Sequence, residues 1–147
     1  MKLNKLFIMV ICALLLVAGC KKDEEASIIG TWKVTSAVFN PPAIVNGDTL
    51  SDAYPIFFPN SCNRDNVFIF ESGGVFKNDE GATKCDPLDD QTSVGTYILS
   101  GSNLTWITDT DTTSISNAAI TKTTLTGTFT EDNNGTTIYV DATMTRQ

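Results

Sequence analysis

The sequence predicts an all-β protein of about eight short antiparallel strands. Three observations carry that prediction. No stretch after Ile29 repeats its apolar residues at helical spacing. Thr, Val, Ile, Phe, Tyr and Trp dominate instead, a composition that suits a pleated, half-buried surface. Gly, Asn and Asp interrupt these runs at short intervals and supply turns.

The first strand opens with Gly30-Thr31-Trp32-Lys33-Val34. Trp32, Val34 and Val38 are expected on one face, with Thr31, Lys33 and Thr35 on the other. Residues 40–61 read as a long loop rich in Pro, Asn and Asp. Its Tyr54, Ile56, Phe57 and Phe58 suggest a lid or packed plug, and loops of this length are often functional. Asn66-Val67-Phe68-Ile69-Phe70-Glu71 is a second strand, which Ser72-Gly73-Gly74 turns into a third at Val75-Phe76-Lys77. Residues 79–93 form an acidic loop. Strands follow at 94–99, 103–108, 113–120, 123–131 and 136–145, with Leu104 and Trp106 sharing a face. Asn134-Gly135 marks the last tight turn. In the final hairpin Leu125 and Phe129 face one way, as do Ile138, Val140, Ala142 and Met144, while Thr124, Thr126, Thr128 and Thr130 face the other. Eight strands suffice to close an up-and-down barrel, which removes exposed edges. A two-sheet sandwich has the same periodicity.

The N-terminus reads as an address. Lys2 and Lys5 precede the nearly uniform apolar run of residues 6–18, too short to span a bilayer comfortably. Val17-Ala18-Gly19-Cys20 resembles the lipobox of bacterial lipoproteins, where the thiol takes a diacylglyceryl group and becomes the new N-terminus. That resemblance divides the chain into a signal peptide at 1–19, a lipidated tether at 20–27 and one domain at 28–147. It implies a membrane partner held through the lipid at Cys20, and an outer-membrane location. Lys21-Lys22-Asp23-Glu24-Glu25 reads as a solvated tether. It also resembles the surface-export signal of some Gram-negative lipoproteins, so exposure at the cell surface is a further expectation.

The 147 residues fit one domain, expected to be a monomer. The net charge is −7, and removing the two leader lysines with no acid takes it to −9. Such a surface argues against a nucleic-acid partner, which needs a basic patch. Cys12 leaves with the leader, and Cys62 and Cys85 remain as an even pair in an exported chain, which reads as a structural disulfide.

A resemblance narrows the fold. Gly30-Thr31-Trp32 resembles the Gly-x-Trp signature at the start of the first lipocalin strand. Small lipocalin-like domains of bacterial surface lipoproteins are a closer match. They too show a Cys before an Asp-Asn strand (Cys62, Asp65-Asn66), a Lys-Cys-Asp (Lys84-Cys85-Asp86) and a Thr-x-Thr-Arg-Gln ending (Thr143 to Gln147). The resemblance implies an antiparallel up-and-down eight-stranded lipocalin-like barrel. It implies that Gly30, Trp32 and Arg146 form a structural signature, with Arg146 covering Trp32 at the closed end. It also implies a small apolar ligand. Phe68, Phe70, Phe76, Tyr97, Trp106, Phe129 and Met144 are the residues expected to line its site, or to fill the barrel if it holds none. In that alternative, loops contact a protein or glycan partner. The domain is shorter than a full lipocalin, and no C-terminal helix follows the last strand.

Catalytic equipment is sparse. The chain has no His, so Ser–His and Cys–His nucleophile pairs are excluded. Glu71 and Asp141 occupy strand positions that nothing in the sequence brings together, and no catalytic residue, cofactor or enzyme activity is expected. Asp86, Asp89 and Asp90 offer oxygen ligands for calcium, yet match no EF-hand spacing, and read as a solvated loop with no metal.

Overall fold

The computed structural model describes residues 26–147 apart from Thr110 and Asn134. The leader, Cys20, most of the tether and the Asn134-Gly135 turn therefore lie outside or straddle the edge of the described residues. Nine strands run in chain order: β1 (Gly30–Val45), β2 (Asp48–Asp52), β3 (Val67–Glu71), β4 (Val75–Asp79), β5 (Thr92–Ser100), β6 (Asn103–Ile107), β7 (Thr112–Ile120), β8 (Thr124–Asn133) and β9 (Thr136–Arg146). Two single-turn helices, α1 (Tyr54–Phe57) and α2 (Ser61–Arg64), lie between β2 and β3.

From β3 to β9 each strand pairs antiparallel with the next. β1 pairs with β3 on one side and β9 on the other, so eight strands close an up-and-down barrel. The barrel, not the sandwich, is the fold. The ninth strand, β2, stands outside the ring and pairs only with the far half of β1.

Two expectations change here. Val38 does not face inward with Trp32 and Val34. The register slips between Val34 and Ser36, an inserted residue that reverses the alternation. Ala37 and Phe39 are buried in its place, and Val38 is 40% exposed. The 40–61 segment is also more than a loop. β1 continues to Val45 and turns at Asn46-Gly47, both at positive φ (54° and 92°), as a two-residue hairpin turn of the mirror-image kind requires. Pro41 and Pro42 fall between the paired positions Val38↔Asp52 and Ala43↔Leu50, where no ladder N–H is needed.

The two ends of the barrel differ. At the closed end Trp32 is fully buried, and its Nε1 donates to the Ile28 carbonyl at 2.7 Å. The Arg146 guanidinium lies over the indole, 4.3 Å from the ring centroid. It also donates to the carbonyls of Ser27, Ile29 (2.8 Å) and Lys122 (2.8 Å), tying the entering chain and the β7–β8 turn to the last strand. A Cβ at Gly30 would sit 2.2 Å from Arg146 Nη1, so the glycine of the Gly-x-Trp signature leaves the path through which this side chain reaches its stack. Ile28, Phe70, Phe76, Leu104, Leu125 and Met144 fill the space inside.

At the open end a disulfide joins Cys62 of α2 to Cys85, which lies 23 residues along the chain. It pins the β4–β5 loop, which is ordered further by carboxylates. Asp65 accepts from the N–H groups of Ala82 (3.1 Å) and Thr83 (3.0 Å). Asp79 accepts from Gly81 N–H (2.8 Å), Gln91 Nε2 (3.0 Å) and Thr92 Oγ1 (2.8 Å). The hydrogen bond from Gly81, then those from Thr92 and Gln91, hold the Asp79 carboxyl below its ordinary value of 3.8.

Two outcomes follow from these ends. Arg146→Met keeps the aliphatic stem but removes the cation and its donors, and should destabilise the domain by about 2–3 kcal/mol in urea unfolding. Because the folded-state pKa of Asp79 is depressed, its stabilisation is present above 3.8 and fades as pH falls through the lower folded value. The stability gap between wild type and Asp79→Asn should therefore narrow below about pH 4, and unfolding curves between pH 7 and pH 2 check this.

A cavity in the open half of the barrel

The open half of the barrel encloses a cavity of about 340 Å³. Its floor is apolar. Phe76 and Trp106, from β4 and β6, stack at 5.4 Å between centroids, and Phe68 of β3 leans on both at 6.0 and 5.9 Å. Val34, Ile115, Phe129, Ala142 and Met144 complete that part of the lining.

The roof comes from α1. Ala53 N–H donates to the Ala37 carbonyl at 2.9 Å and Pro55 stands in the first turn, which fixes where the helix starts. Tyr54 turns into the core, its hydroxyl 3.3 Å from the Val34 carbonyl. Phe57 packs edge-on against Phe129 (5.2 Å) and against Phe39 (6.3 Å), while Phe58 stacks on Tyr54 (5.0 Å). Phe57 and Phe58 both line the cavity. The expected plug is thus formed by three aromatics, Tyr54, Phe57 and Phe58, while Ile56 points outward and is half exposed.

The rim is polar. Moving one inward step toward the mouth from each floor residue, Phe76 gives way to Asn78, Trp106 to Thr108, Ile115 to Thr113 and Phe129 to Glu131. Ser93 and Asp111 also face the cavity. Asp111 is fixed by Thr112 N–H (2.8 Å) and Thr113 Oγ1 (3.1 Å). Asn78 carries a buried Oδ1 with no hydrogen-bond partner.

Of the seven residues expected to line a ligand site, Phe68, Phe76, Trp106, Phe129 and Met144 border the cavity. Phe70 and Tyr97 do not. They pack edge-to-face at 5.0 Å in the closed half, with the Tyr97 hydroxyl donating to the Glu71 carbonyl. Phe57 and Phe58 were expected as part of a lid or plug but not among the lining residues, and the whole polar rim was absent from the sequence expectation. The inward alternation of each strand, carried past its last apolar residue, would have found the rim.

Other sequence-level sites stay apart. Glu71 pairs with Lys77 at 2.7 Å. Asp141 accepts from Thr128 Oγ1 (2.6 Å) and Asn40 Nδ2 (2.8 Å). Glu71 follows the buried Phe70 and Asp141 lies between the buried Val140 and Ala142, so both stand on the outer face, in separate pairs. In the acidic loop Lys84 Nζ donates to the carbonyls of Pro87 and Asp89 and so ties the loop to itself. Among the described residues no three Cys, Asp or Glu side chains converge as a metal site.

A family model for a lipocalin-like domain matches residues 28–127, from Ile28 through the first four residues of β8. No curated protein and no solved structure matches the chain. The match spans more than half of the sequence, taking in Trp32 and the strands from β1 to the start of β8, and the chain belongs to the lipocalin-like domain family.

Proposed function

We propose that this protein is a membrane-anchored binding module that holds one small, largely apolar molecule in the open half of its barrel, without catalysis. The observation that carries this reading is the roofed cavity. Side chains fill the closed half of the barrel, yet about 340 Å³ stays open between the Phe76–Trp106 floor and the Phe57–Phe58 roof. That volume lies at the lower end of the range for small-molecule sites, and aromatic walls with a few polar groups are their usual lining. Interior apolar space left unfilled forfeits packing energy, so a barrel evolved only as a scaffold has reason to close it.

Anchoring rests on the lipobox resemblance at Cys20. Ser27 is held by Arg146 at the closed end. Six residues separate it from Cys20, a reach of at most about 25 Å. The lipid therefore places the closed end against an outer membrane and the mouth away from it, toward whatever supplies the ligand.

A second reading is an interaction protein, and one feature favours it. The β1–β2 hairpin, α1 and β9 border an external groove that exposes Ile44 (69%), Ile56 (52%) and Tyr139 (49%). A partner protein seated there would use the hairpin rather than the barrel interior.

Native mass spectrometry of the chain purified from its source decides between them. A carried small-molecule mass is expected, and it should be lost in Ala142→Phe, which fills the cavity from β9. A wild-type chain that carries nothing, in a domain whose interior is shown to be dry and closed, favours the interaction protein. Cys20→Ala should move the protein from the membrane to the soluble fraction, and continued sedimentation with membranes would defeat the anchor.

A further inference from the structure

The cavity has a charge sign. Among its lining residues none is basic, whereas Asp111 and Glu131 both line it on the side of the mouth. Asp111 is held in place by the two hydrogen bonds from Thr112 and Thr113. Glu131 has no side-chain partner among the described residues. The ion pair between Lys77 and Glu71 lies on the outer wall and does not neutralise them. Further in, Asn78 adds a polar side chain to the lining. The floor of Phe68, Phe76 and Trp106 is apolar and offers a surface for an uncharged body.

We propose that the ligand is a small amphipathic amine: an apolar body on the Phe76–Trp106 floor and a protonated, hydrogen-bond-donating head at the Asn78–Asp111–Glu131 rim. This rests on the binding reading above and narrows it. A fatty-acid carboxylate or other anion would meet two carboxylates with no cation to receive it, so the site selects against acids as well as for amines.

The test uses the full chain and three water-soluble probes with one aromatic body: 2-phenylethylamine, 2-phenylethanol and phenylacetate. Titration calorimetry at neutral pH and low ionic strength should rank them amine, alcohol, acid. The amine should bind at least about tenfold more tightly than the acid, with the gap shrinking as salt is added. In the Asp111→Asn/Glu131→Gln double variant the amine should lose its advantage while the alcohol binds as before. Both substitutions are at exposed rim positions, so the fold should survive, and an unchanged circular dichroism spectrum checks that. Acid binding as tight as the amine, or an amine advantage that outlives both substitutions, overturns the proposed head group and leaves the binding cup standing. If none of the probes binds and no mass is carried from the source, the cup itself falls, and the amine with it.

Discussion

The pairing of β1 with β9 is the constraint on which the rest of the structure depends. These strands are more than a hundred residues apart in sequence, and their ladder runs from Trp32↔Arg146 to Phe39↔Val140. Without it the chain would be an open meander with two exposed edges, each a template for aggregation. With it the ring closes and the interior becomes a defined volume. The ladder also places Arg146 opposite Trp32, so the contact that seals the closed end is produced by the same register that closes the sheet. Closure and capping are one event, and contacts this distant in sequence make folding slow relative to local structure.

The bulge in that ladder shapes the open end. Had β1 kept its alternation past Val34, Val38 would face the interior and Ala37 and Phe39 would face water. The slip between Val34 and Ser36 instead buries Ala37 and Phe39. Phe39 then gives Phe57 a surface to pack on, and Ala37 offers its carbonyl to the start of α1. One inserted residue thus connects the barrel wall to its roof. Strand bulges are commonly found where a sheet must re-aim side chains near a site, and this one aims them at the helix that roofs the cavity.

Much of this was legible in the sequence, and the unread parts share a cause. The Thr-out, apolar-in alternation of β8 and β9 and the Leu104/Trp106 pair gave the inner faces directly, because period-two patterns survive without tertiary information. Trp32 and Arg146 were readable through their likeness to a known signature. The bulge was not readable, since nothing local distinguishes Val34-Thr35-Ser36 from a regular strand. The β1–β2 hairpin was hidden by Pro41-Pro42, which normally argue against a strand. Here they occupy the unpaired stretch of the ladder, and the real signal was Asn46-Gly47, a turn dipeptide of the kind recognised only at Asn134-Gly135. The rim was missed because its residues are polar. A search for ligand-lining positions by hydrophobicity stops where the inner face turns to Asn78, Thr108, Thr113 and Glu131.

Access to the cavity follows from what is fixed and what is open. The roof is anchored on several sides. Ala53 and Tyr54 bond to β1, Phe57 packs on Phe39 and Phe129, Arg64 Nε donates to the Phe58 carbonyl at 2.8 Å, and the disulfide ties α2 to the loop beyond β4. Swinging α1 away would break its hydrogen bonds and ring contacts at once, and the disulfide limits how far the chain after it can follow. The rim, by contrast, has exposed Ser93, Asp111 and Glu131 and no aromatic cover. On the binding reading proposed above, a ligand would enter past the polar rim rather than beneath a moving roof, and would meet the carboxylates before Trp106. The order of contact would make the rim a filter on charge and the floor a filter on shape, and altering only short strand ends would change which molecule is admitted, while the Trp32–Arg146 cap and the β1–β9 seam stay untouched.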